Sequence, residues 1–137
     1  MKTTLFKWTT ALFMLALTQN TFATVDPGAP SASHHFEEAA AALHEHLHHT
    51  YSNSYGSHDL EELGDALHGV LHDWVHGDAT EADVVVSQDA LKLEWNTFRQ
   101  TIIPAGVLHN GDDTLDDLYD TVKNDYKELR FLLRKAK

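Results

Sequence analysis

Four times along this chain, apolar residues recur at steps of three and four, and each run stops at a turn signal. Phe36, Ala40, Leu43, Leu47 and Tyr51 make the first stripe, and Leu60, Leu63, Leu67, Val70, Leu71 and Trp74 the second. Val84, Gln88, Leu91, Trp95, Phe98 and Ile102 make the third, and Leu115, Leu118, Val122, Tyr126, Leu129 and Leu133 the fourth. That spacing keeps side chains on one face of a helix with about 3.6 residues per turn. Asn53 to Gly56, Gly77, and Pro104 to Gly111 supply the breaks. The pattern predicts helices over about residues 33–52, 57–76, 79–103 and 113–136. Asp78, with Glu81 three residues on, resembles a capping box for the third helix. Val84-Val85-Val86 has local strand character, but the longer helical period outweighs it. Short connections between amphipathic helices imply an all-α chain, an antiparallel up-down-up-down four-helix bundle over residues 33–137.

The region before the first stripe reads differently. Lys2 and Lys7 make a basic start, residues 11–17 (ALFMLAL) are a short apolar run, and Thr21-Phe22-Ala23 places small residues at a cleavage position. Residues 1–23 are therefore expected to be a cleaved secretory signal peptide, with the mature protein periplasmic or secreted. Residues 24–32, rich in Pro and Gly, read as a flexible linker. No stretch reaches the roughly 18 apolar residues of a membrane span, so no membrane anchor is expected. Cysteine is absent, which excludes disulfides, thiolate metal sites and Cys-x-x-Cys-His haem attachment.

Charge narrows the partners. Without Lys2 and Lys7, eight basic residues face 21 acidic ones, a net charge of −13. Nucleic acid is a poor partner for such a surface, because phosphate backbones reward clustered Lys and Arg. The charge is also unevenly placed. Residues 24–91 hold 13 acidic residues and ten of the eleven histidines, with no Lys or Arg; all eight remaining basic residues follow from Lys92 on. The only cations available to the first half are imidazoliums or bound metal ions.

The histidines are patterned. Residues 42–48 (ALHEHLH) and 66–72 (ALHGVLH) repeat the frame A-L-H-x-x-L-H at an offset of 24. Imidazoles four apart lie on one helix face, about 6 Å apart, and such pairs chelate Zn, Cu or Ni ions. If the first two helices pair around a compact turn, residues whose numbers sum to about 111 lie level, setting His44 beside His68. His44 lies about 90° and His68 about 110° from the centres of their apolar faces, in the same sense. Contact on that flank would gather His44, His48, His68 and Asp65, with His72 a turn lower. Contact on the other flank would instead bring His46 toward Asp59 and Asp73. The metal ligands expected on this basis are His44, His48, His68, His72 and Asp65.

Other chemistry finds little footing. His44-Glu45-His46-Leu47-His48 fits H-E-x-x-H literally, but zincin catalysis needs a third ligand and a cleft that a 114-residue helical chain does not frame. In shape such a bundle resembles cytochrome b562 and cytochrome c′. Met1 and Met14 leave with the signal and the apolar stripes carry no His, so no haem is expected. The sequence thus suggests a non-enzymatic exported bundle binding transition-metal ions for envelope buffering, sensing or delivery. The alternative is a structural or acid-responsive envelope protein with solvated histidines; protonating ten His would move residues 24–91 from −13 toward −3.

Overall fold

The computed structural model describes residues 25–134. The expected signal peptide lies outside the described residues, as do residues 135–137. Among the described residues there are four helices and no strand: α1 (Ala29–Tyr51), α2 (Ser57–Val75), α3 (Glu81–Ala105) and α4 (Asp113–Leu133). They pack against one another, α1 against α2 and α4, and α2 against α3. Among the described residues no helix is long and apolar enough to cross a membrane.

Helix α1 begins four residues before the expected start. Asp26 accepts from the Gly28 amide at 2.8 Å, the Ala29 amide bonds the Asp26 carbonyl at 3.0 Å, and Pro30 fits the first turn, where its missing N–H costs nothing. Val25, Ala29 and Ala32 are buried, so the segment read as a flexible linker is anchored by its own small apolar side chains. Helix α3 opens on a capping box, but its members are Thr80 and Asp83 rather than Asp78 and Glu81. The Asp83 amide donates to Thr80 Oγ1 at 3.2 Å, and the Thr80 amide donates to Asp83 Oδ2 at 2.8 Å. These bonds hold the Asp83 carboxyl below its usual range. The helix also runs through Pro104 and stops at Gly106, whose φ of 71° supplies the left-handed cap.

Each stripe forms one wall of a single core. Phe36, Leu43, Leu47, Leu60, Leu67 and Leu71 are fully buried on the first two helices. On α4, Tyr119 is buried and Leu118 only half-buried, the reverse of the expected assignment. The reason is Trp95 on α3, whose ring stacks on Tyr119 at 6.1 Å and on Tyr126 at 5.0 Å, drawing both tyrosines inward. Gln88 is buried on α3, and its Oε1 has no hydrogen-bond partner among the described residues.

Contacts also give the direction of the helices. Ser33 meets His68 while His44 meets Ser57, so α1 and α2 are antiparallel. Phe36 meets Tyr126 while Tyr51 meets Asp112, so α1 and α4 are antiparallel as well.

Candidate metal centre

Register decides which histidines share a space. Ser33 Oγ lies 3.0 Å from His68 Nδ1, and His44 Nδ1 lies 3.1 Å from Ser57 Oγ. Levels on the seam therefore pair His44 with Ser57 and His58, and His68 with Ser33 and His34. The expected level pairing of His44 with His68 does not occur. The turn accounts for the difference. Ser52 to Gly56 form a loop with positive φ at Ser52, Tyr55 and Gly56, and since α2 starts at Ser57 beside His44, the loop has to return past the last turns of α1. Non-helical chain covers up to about 3.3 Å per residue against about 1.5 Å for a helix, so a few loop residues use up several residues of α1.

A second feature fixes that register. At Gly64, an added Cβ would stand 2.9 Å from the Phe36 ring. Only a glycine lets α2 close onto α1 at this level.

Among the described residues, two groups of side chains that could hold a metal ion result. His34 and Glu37 on α1 join His68 on α2; His58 and Glu61 on α2 join His44 on α1. Within each group one ligand atom from each residue lies within 4.8 Å of the others. In each, two members are half-buried and the leading histidine, His34 or His58, is exposed. The imidazole rings across the seam are 5.2 Å apart for His34 and His68 and 5.1 Å apart for His44 and His58. Ten residues of helix separate His34 from His44, about 15 Å along the axis, too far for one ion to serve both groups.

The five expected ligands are thus distributed rather than gathered. His44 and His68 belong to different groups. His48 is exposed, its ring 6.0 Å from His44. His72 is exposed beside His76, rings 4.6 Å apart, with Nδ1 3.8 Å from Asp73. Asp65 is exposed and lies in neither group. His46 reaches neither Asp59 nor Asp73; it turns to α4, where its Nε2 is 2.8 Å from Asp112 Oδ2. That bond is the main reason the Asp112 carboxyl falls to about 2, with the Leu115 amide and the Tyr51 hydroxyl adding to it. Tyr51, donating to the same carboxylate at 2.8 Å, is raised in turn.

His34, Glu37, His58 and Glu61 were the residues missed. Their signal is in the sequence, upstream of the A-L-H-x-x-L-H frame. Residues 33–48 (SHHFEEAAAALHEHLH) and 57–72 (SHDLEELGDALHGVLH) share nine of 16 positions, among them Ser, His and both Glu at the start. The copies also fold alike: His34 Nε2 lies 3.3 Å from Glu38, and His58 Nε2 lies 3.3 Å from Glu62. No protein-family model, curated protein or solved structure matches this chain.

Proposed function

We propose that this protein is an exported, non-catalytic up-down-up-down bundle whose first hairpin binds Zn, Cu or Ni ions, for buffering, sensing or delivery in the cell envelope. The periplasm, or the exterior after secretion, follows from the signal-like residues 1–23. The observation that carries the reading is the convergence of two imidazoles and one carboxylate, from two helices, in each of two groups. Imidazole nitrogen and carboxylate oxygen are the donors these borderline cations accept. Ligand atoms within 4.8 Å need only small side-chain rotations to close on a shared ion with bonds of about 2 Å.

Three protein ligands leave a four-coordinate ion one open position, the arrangement of exchangeable rather than closed structural sites. An ion that can be passed on suits buffering or delivery. No Lys or Arg among residues 24–91 competes with the cation, and the surrounding carboxylates favour it.

Calorimetric titration of the full chain with Zn²⁺, Cu²⁺ and Ni²⁺, beside the variant carrying His44→Ala and His68→Ala, tests the reading. Saturable binding in the parent and its loss in the double variant are expected. Weak, unsaturable binding that survives both substitutions would leave a structural or acid-responsive bundle with solvated histidines.

A further inference from the structure

The two groups are related by more than composition. Moving 24 positions along the sequence takes Ser33 to Ser57, His34 to His58, Glu37 to Glu61 and His44 to His68. Because the copies run antiparallel, each helix gives His and Glu from its first turns to one group and its later histidine to the other. The hairpin is thus an internal twofold.

Ser33 and Ser57 are both fully buried, and each meets the histidine that crosses the seam. Ser33 Oγ donates to the Pro30 carbonyl at 2.7 Å, so it meets His68 Nδ1 with a lone pair. His68 Nδ1 also lies 3.3 Å from that same carbonyl, which can only accept. Both neighbours of Nδ1 being acceptors, Nδ1 carries the proton and neutral His68 keeps its lone pair on Nε2. His44 Nδ1 meets Ser57 Oγ at the equivalent place.

Resting on the metal-binding reading above, we propose that Ser33 and Ser57 are the positioning residues of one metal site used twice. Each holds, through Nδ1, the imidazole contributed by the opposite helix, so that Nε2 of His68 in one copy and of His44 in the other faces the cation. The chain accordingly takes two transition-metal ions at independent, equivalent sites. Outer-shell groups that hold a ligating imidazole typically change metal affinity by about 10–100-fold when removed.

The test titrates Zn²⁺ alone into the full chain and into Ser33→Ala and Ser57→Ala, and records imidazole nitrogen shifts by NMR without metal. Expected are two Zn²⁺ per chain, and His68 and His44 in the Nδ1–H form in the unsubstituted protein. Ser33→Ala should weaken one site about 10–100-fold and release part of His68 to the Nε2–H form, and Ser57→Ala should do the same to the other site and His44. One Zn²⁺ per chain, or Zn²⁺ affinities and tautomers unchanged by either substitution, would overturn this inference while metal binding stood. A parent chain that takes up no Zn²⁺ saturably would overturn the metal-binding reading itself.

Discussion

The two halves of the molecule are built to different ends. Along the α1–α2 seam small residues recur: Ser33 and Ser57 each meet a histidine of the other helix, and Gly64 admits the Phe36 ring. Between α3 and α4 the space is filled by Trp95, Phe98, Tyr119 and Tyr126, whose ring centroids lie 5.0–6.3 Å apart. Small residues let backbones approach, so side chains from two helices reach a common point; large rings hold backbones apart and bury apolar area. Charge follows the same division, with every Lys and Arg beyond the signal-like segment placed from Lys92 on. The first pair therefore presents candidate metal ligands, and the second pair brings its rings to a core that both pairs wall.

The largest effect should come from emptying the aromatic half. Trp95 is 5% exposed and Phe98 fully buried, and truncating either to Ala should cost about 3–5 kcal/mol, read in urea unfolding. If the division is right, whatever fraction remains folded keeps its Zn²⁺ affinity. A Trp95→Ala protein that is well folded but has lost metal binding would break the comparison.

Next in size is Gly64→Ala. Alanine is the better helix former by about 1 kcal/mol, yet its Cβ would press on a buried Phe36 ring from 2.9 Å. Overpacking of this kind costs about 1–3 kcal/mol, and against a fully buried ring it outweighs that gain, leaving a net loss of up to about 2 kcal/mol. Because the seam must open, Zn²⁺ affinity should fall at both groups together, which calorimetry would show. Unchanged affinity would mean that close approach at Gly64 does not set the ligand geometry.

Gln88→Leu sharpens the comparison from the other side. Its buried Oε1 lacks a partner, and an unsatisfied buried acceptor costs about 1–3 kcal/mol. Replacement by Leu should raise the thermal midpoint and leave Zn²⁺ binding alone. A lowered midpoint would show that the amide has a role the core requires.

The smallest effect at neutral pH should be that of Asp112, which ties α1 to the start of α4. Its carboxyl titrates at about 2 in the folded protein, below the value of about 3.9 for a free carboxyl. A depressed folded value means that the carboxylate's contribution is complete above about pH 4 and disappears as pH falls through about 2. Thermal melts of Asp112→Ala and the parent should differ at pH 7 and converge near pH 2. A gap that stays constant across that range would remove the carboxylate from the account.

How much of this was legible in the sequence differs between fold and site. The stripes located four helices because burial follows a local period, and Leu43, Leu67, Leu91 and Leu129 sit in the core as their spacing required. The ends were harder to place. Thr80 won the cap over Asp78 through two hydrogen bonds, and Pro104 near a helix end removed too little to stop it before Gly106. The site was half legible. The repeated frame pointed to His44 and His68 as candidates, but the side chains grouped with each depend on register, which is set by the path of five loop residues and one glycine against one ring. Neither leaves a periodic trace. The fuller repeat beginning at Ser33 and Ser57 was the available clue, since two copies packed antiparallel must juxtapose the head of one with the later turns of the other.

Two separate ions on one hairpin, rather than a single ion shared by His44 and His68, is best tested by cadmium NMR of the full chain loaded with excess Cd²⁺. Two bound resonances are expected, one vanishing in His34→Ala and the other in His58→Ala. A single resonance that both substitutions leave in place, or that His44→Ala and His68→Ala each abolish, would contradict the account.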